Sequence, residues 1–342
     1  MTPSADRLRR LRLSGQRLAP GTAARAPVEA AASVCGIQAQ DVRAAGLALR
    51  SRVPGLSRAA VDGGDLVRTW TVRGTVHLIA AGDRPWLHAL CAPRFERRFA
   101  ALIEKRGGLD IARRAAGDVV DVLAPEPLAR ADLLTALARR GHPNLDPYAV
   151  NVFVPWLAQL GVVVGLPDGR LRAAEPPPAV DEDEALETIA RRYLAGYGPA
   201  TAHDLAWWSG LPLGLARRGL DAAGPLESAG DLVALPGTLA VDPPPPPAAC
   251  LLAGFDTLLL GWRRRELWLS PDEDHRVLRG GGIVRPAVLV DGAVTGTWAL
   301  RGSGRVRTIE VEWFGPRADA QALEAEARDV GRFLGVETRI AA

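Results

Sequence analysis

Lysine is almost missing from this 342-residue chain: of its 42 basic residues only Lys105 is a lysine. Covalent amine catalysis through a Schiff base therefore has one side-chain candidate besides the terminal amine. Lys105 sits in the charged stretch Glu104-Lys105-Arg106, which reads as exposed. Cysteine is scarce as well. Cys35, Cys91 and Cys250 contain no CxxC pair, which argues against a disulfide framework or a zinc site and points to a reducing cytosol. No apolar run reaches the ~18 residues of a membrane span, and Asp256 interrupts the best one, 251–260. The N-terminus is Arg-rich and lacks an apolar core, so no secretory signal is expected. Also absent are a Walker A loop, a GxGxxG after a strand, HExxH and GxSxG. The histidines at 77, 88, 142, 203 and 275 lack metal-ligand spacing. Neither a metal nor a nucleotide cofactor is expected.

What is present is an ordinary globular composition, 48% hydrophobic and 24% charged, in a length that suggests about two or three compact units. The charge is unevenly spread. Residues 1–114 carry 20 Lys+Arg against 9 Asp+Glu, and the remainder 22 against 30. A GC-rich genome accounts for arginine over lysine but not for an excess at one end. A basic third joined to an acidic remainder points to a polyanion partner.

Two proline tracts, 176–178 and 243–247, divide the chain, the second as a stiff spacer. Between them the apolar spacing predicts helices over 185–195, from a Thr201 cap through Trp208, and over 213–222, with a strand-like wing at 231–237. This is a winged-helix pattern. Its third helix offers only Arg217 and Arg218 as donors, so a DNA-binding and a protein-binding unit both fit. Upstream, helices at 127–140 and 148–160 precede a hairpin at 162–172 around Leu166-Pro167-Asp168-Gly169, a second such unit. The first unit has helices near 7–18, 27–34 and 41–53 and a strand-rich stretch at 67–80. Residues 287–298 form a hairpin around Asp291-Gly292, followed by a half-buried alternating strand, 306–314, and a helix, 319–334, ended by Gly335. The expected fold class is α+β, with about three tandem winged-helix units (1–115, 116–178 and 179–242) and a C-terminal antiparallel sheet plus helix cap (248–342).

The segment Cys35-Gly36-Ile37-Gln38-Ala39-Gln40-Asp41 carries the reading further. It resembles the Gln-apolar-Gln motif of the AlkZ-like winged-helix DNA glycosylases, typified by azinomycin resistance. Arg68 through His77, Tyr197-Gly198-Pro199-Ala200-Thr201, and Phe255-Asp256 through Asp291-Gly292 to Gly296-Thr297-Trp298 resemble the same family in the same order. The resemblance implies winged helices around a basic channel, excision of bulky N7-alkylated purines from double-stranded DNA, and unhooking of interstrand crosslinks. Gln38 and Gln40 would be the catalytic pair. Another branch has an acid at the second motif position; Gln40 here implies narrow specificity for labile adducts.

Two carboxamides cannot act as a base near neutral pH, but they can hold a water toward the sugar C1′. Residues two apart in an extended segment point to one side, with Ala39 facing away. That suffices when the leaving purine is already cationic. The same glutamines also fit a pair of capping or surface amides. Arg43, Arg73, His77, Arg263, Arg265, Arg276 and Arg279 are candidate DNA contacts. Arg73 and His77, four apart in a strand, would share a face, with His77 either on a phosphate or buried against the backbone. A family-like hairpin that probes the duplex is expected, without a secure position. The reading is a monofunctional, monomeric, cytoplasmic and nucleoid-associated glycosylase. The alternatives are a non-enzymatic winged-helix DNA-binding regulator and a degenerate member that binds adducts without cutting.

Overall fold

Asp41 shows how closely the first helices follow the sequence. In this computed structural model, which describes residues 2–63, 65–106, 108–143, 145 and 147–341, its Oδ1 accepts from the backbone N–H groups of Arg43 and Ala44 at 2.8 and 3.0 Å. That cap starts a helix at Val42. The chain opens with α1 (Ala5–Gly15), α2 (Pro27–Ser33), the short strand β1 (Ile37–Gln38), α3 (Val42–Arg50) and α4 (Arg58–Asp62). Strands β2 (Leu66–Trp70) and β3 (Val76–Ala80) come next. Helices α5 (Arg84–Glu104) and α6 (Leu109–Leu123) lie outside the elements expected from sequence. The expected helix–helix–hairpin follows as α7 (Arg130–Arg139), α8 (Pro147–Gln159), β4 (Val163–Gly165) and β5 (Leu171–Ala173).

One antiparallel sheet runs β1-β3-β2-β4-β5. It joins strands from both sides of residue 115 through the pairing of Arg68 with Gly165. Beyond it, α9 (Glu182–Tyr197), α10 (Ala202–Ser209) and α11 (Leu213–Ala222) precede the hairpin β6 (Glu227–Ala229) and β7 (Leu232–Ala234). Thr201 forms a reciprocal capping box with Asp204 at the start of α10.

The C-terminal cap corrects one expectation. Its strands are β8 (Cys250–Leu252), β9 (Leu278–Arg279), β10 (Ile283–Val284), β11 (Ala287–Val290), β12 (Ala293–Arg301), β13 (Val306–Trp313) and β14 (Glu337–Ile340), with helices α12 (Thr257–Leu260), α13 (Asp274–Val277) and α14 (Ala320–Leu334). Sheet order is β14-β13-β12-β11-β8. The sheet is mixed rather than antiparallel, because β14 pairs parallel to β13. A helix between two neighbouring strands returns the chain in the original direction, and α14 does so here. The Asp291-Gly292 turn has both residues at positive φ, 48° and 81°, as a two-residue hairpin requires.

The basic excess of the first third has an internal use. Arg7 donates to the carbonyls of Leu239 and Val241 at 2.8 Å, and Arg10 to that of Pro244 at 3.1 Å. The polyproline stretch is thus strapped to α1. Arg12 reaches Pro199 and Arg9 reaches Leu267. Arg50 holds Glu326 and Asp329 on α14 at 3.1 and 3.0 Å. Arg52 pairs with Asp256 at 2.8 Å, both side chains fully buried. Gly46 on α3 admits the Phe333 ring so closely that a Cβ there would lie 2.8 Å from it. One contiguous apolar core therefore runs from Leu13 to Phe333.

Candidate active site

A tight turn aims the glutamine pair. Cys35 and Gly36 both take positive φ, 53° and 106°, and a Cβ on Gly36 would come within 2.8 Å of Ile79. Glycine lets β1 lie against β3, which sets Ile37 opposite Leu78 and Gln38 opposite His77. Gln38 is 8% exposed and Gln40 is exposed. The Gln38 Nε2 donates to Gln40 Oε1 at 2.9 Å, so the two amides form one unit, as their spacing requires. Gln38 Oε1 is buried and has no partner among the described residues. The pair thus offers a free acceptor at Gln38 and a free donor at Gln40 Nε2. A water that donates to the first and accepts from the second would satisfy both amides. Asp41 is occupied capping α3, and no carboxylate bonds to either glutamine among the described residues.

Arg73 and His77 do not share a strand face. Arg73 sits in the turn between β2 and β3 with φ 56°, and its guanidinium donates to the Trp208 carbonyl. His77 is 3% exposed. Its Nδ1 lies 3.0 Å from the Thr75 carbonyl and 2.9 Å from Thr71 Oγ1. A carbonyl only accepts, so Nδ1 carries the proton. Burial, then Arg73, pushes the His77 pKa down to about 3. The ring is neutral and orders the β2–β3 turn instead of meeting a phosphate. Structure therefore favours the backbone-bonded alternative for His77.

The remaining candidate arginines fall into two groups. Arg43 is exposed at the start of α3, and burial followed by the nearby Arg307 lowers its pKa. It borders a cavity of about 480 Å³ with Leu47, Phe255, Ile283, Trp298 and Arg301. Arg263 and Arg279 are exposed, and Arg279 has no ion pair among the described residues. By contrast, Arg265 donates to the Leu259 carbonyl at 3.0 Å and lies over Trp207. Arg276 is paired with Glu273 and, at 3.4 Å, with Glu312. These two are committed to the fold. On α11, Arg218 is likewise paired with Glu182 and Asp183, leaving Arg217 exposed. Sequence reading missed the apolar wall of the cavity. Phe255, at φ 61°, opens a family-like stretch without a role of its own, and Ile283, 52% exposed, carries no chemistry that marks a site.

The β9–β10 hairpin borders the same cavity through Ile283 and Val284 and turns through glycines 280–282. Among the described residues no cluster of His, Cys, Asp or Glu could hold a metal ion, and no helix is long and apolar enough to cross a membrane.

Residues 31–333 match the family model described as DNA glycosylase AlkZ-like. This chain belongs to the AlkZ-like winged-helix DNA glycosylase family. A curated relative, the interstrand DNA cross-link repair glycosylase of Streptomyces sahachiroi, is 28% identical, with 89% of each chain covered. The solved structure of Streptomyces sahachiroi DNA glycosylase AlkZ aligns over 100% of both chains with a TM-score of 0.77 at 24% identity. That likeness speaks for the fold. AlkZ-like membership supports DNA glycosylase chemistry in repair, and double-stranded DNA as partner, at the level of the family. It also corresponds to the ordered set of motifs, since the matched region contains the Gln38–Gln40 segment, the 68–77 strands and the 291–298 turn and strand.

Proposed function

We propose that this chain is a monofunctional DNA glycosylase that hydrolyses the N-glycosidic bond of N7-alkylated purines and unhooks interstrand crosslinks. Gln38 and Gln40 position the water. The observation that carries this reading is the unpartnered Oε1 of Gln38, buried on a strand and tied through its amide nitrogen to an exposed Gln40. A buried carbonyl oxygen without a donor is costly, and a bound water removes that cost. An N7-alkylated purine leaves as a neutral base, so bond breaking runs ahead of attack and a weakly activated water completes it. Normal purines, which would depart as anions, stay in place.

Arg43, Arg263 and Arg279 are the strand contacts that remain free, and the β9–β10 hairpin is the element that enters the duplex. Four units (1–115, 116–178, 179–242 and 248–342) act together as a monomer, and the protein works in the cytoplasm at the nucleoid.

Purified protein incubated with an N7-alkylguanine duplex, and with a crosslinked duplex, should generate alkali-labile abasic sites. The Gln38→Ala, Gln40→Ala double variant should not. Equal activity of the two proteins overturns the assignment of the site. An inert wild type that binds one undamaged sequence tightly favours a non-enzymatic regulator. An inert wild type that retains tight binding to the adduct favours a non-cutting adduct receptor.

A further inference from the structure

We propose that Arg68 and Arg130 form a phosphodiester-binding subsite that grips one backbone phosphate of duplex DNA and registers it against the glutamine pair, the registering role resting on the glycosylase reading above.

Arg68 lies on β2 and is 9% exposed. Its Nε–H donates at 2.9 Å to the carbonyl of Ala39, the residue between the two glutamines. Its guanidinium lies 5.9 Å from the centre of the Trp70 ring. Its remaining N–H groups, on Nη1 and Nη2, meet no protein acceptor among the described residues, and no carboxylate faces it. The charge that does act on it has the same sign. Burial first, and Arg130 second, hold the Arg68 pKa below its ordinary value. Arg130 opens α7, has its pKa lowered by burial, and makes one side-chain bond among the described residues, to Asn151 Oδ1 at 3.0 Å.

A guanidinium held against the Ala39 carbonyl with both Nη groups unpartnered, partly withdrawn from water and lacking an anion, is an unfavourable arrangement. Elsewhere the protein supplies the anion: Arg50 has Glu326 and Asp329, and Arg52 has Asp256. Here the anion is left to a ligand. With Nε engaged, the free edge of Arg68 presents the two-donor fork that fits a phosphate. The same side chain then touches both the strand of DNA and the backbone between Gln38 and Gln40. A phosphate bound there fixes the distance from that nucleotide to the water.

Binding of an undamaged duplex, measured across salt, tests the subsite without any chemistry. Arg130→Ala should lower the slope of log affinity against log salt by about 0.9, so that a rise from about 50 to about 200 mM weakens wild type roughly 3.5-fold more than the variant. An unchanged slope overturns the proposal. Arg68→Lys keeps the charge but loses the fork and the Ala39 bond. It should leave the slope near wild type and reduce base release at saturating protein by about 10-fold or more; full activity overturns the registering role. If that variant does not fold by circular dichroism, Arg130→Ala alone decides. Inorganic phosphate that raises the melting temperature of wild type but not of Arg130→Ala, with no change in duplex slope, assigns the subsite to a free anion and overturns the DNA assignment. A lowered slope with a wild type inert on alkylated DNA supports the subsite and overturns the glycosylase reading instead.

Discussion

Arg52 and Arg68 are both buried arginines of the first third, and they are treated in opposite ways. Arg52 spreads its Nη groups over the Ala48 carbonyl, both oxygens of Asp256, Gln16 and Thr257. Burial pushes its pKa down, yet the Asp256 charge holds it above the ordinary value. Arg68 has one carbonyl and a neighbouring cation. Gln38 sits with Arg68 in this respect, since its Oε1 also lacks a partner. Polar groups that find their partner inside the chain hold the molecule together. Two that do not, Gln38 Oε1 and the Nη groups of Arg68, meet at residues 38–40, where Arg68 holds the Ala39 carbonyl. An arginine-rich composition therefore says little about binding until each guanidinium has been followed to its partner.

The comparison breaks most visibly at Asp256. Asp256→Ala strands Arg52 in the core and should cost about 3–5 kcal/mol of stability in denaturant titration; a loss below about 1 kcal/mol would mean that the pair is dispensable. Gln38→Ala removes an unpaired group instead. It should leave stability within about 1 kcal/mol and reduce abasic-site formation by about 100-fold or more. His77 supplies an acid-side test of the same distinction. Its folded pKa, about 3, lies below the ordinary 6.5, so the stability tied to the neutral ring is complete above pH 6.5 and is lost as pH falls toward 3. At pH 5 the deficit should be about 2 kcal/mol. His77→Asn, which keeps a donor near the Nδ1 position, should lack that component of the acid transition. The smallest effect separates two exposed-looking arginines. Arg43→Ala should reduce the salt slope of DNA binding by about 0.9, and Arg276→Ala should leave it unchanged, because Glu273 and Glu312 already neutralise Arg276.

Local chemistry made much of the architecture legible. Thr201, Asp291-Gly292 and Gly335 mark boundaries by caps and turns whose geometry depends on a few adjacent residues. The two-residue spacing of Gln38 and Gln40 correctly placed their amides together. Long-range partners were not legible. Nothing near Arg12 announces a bond to Pro199, and nothing near Arg73 announces Trp208. The strand model for 67–80 therefore put Arg73 beside His77, when a left-handed turn intervenes. Strand β14 was missed because its partner, β13, is reached only after a helix. Strand β8 was hidden inside an apolar run that splits at Phe255 and Asp256 into a strand and a short helix.

Arg50 is 2% exposed, yet among the described residues every one of its side-chain partners comes from beyond residue 250: the Leu251 carbonyl, Glu326 and Asp329. Emerging from the ribosome, the first helices must wait for almost the whole message to be read before that charge can be covered. The nascent N-terminal portion stays unfinished until α14 is free of the exit tunnel. Premature termination anywhere before residue 326 would thus yield a chain with a stranded cation in its core, a product suited to degradation more than to partial activity.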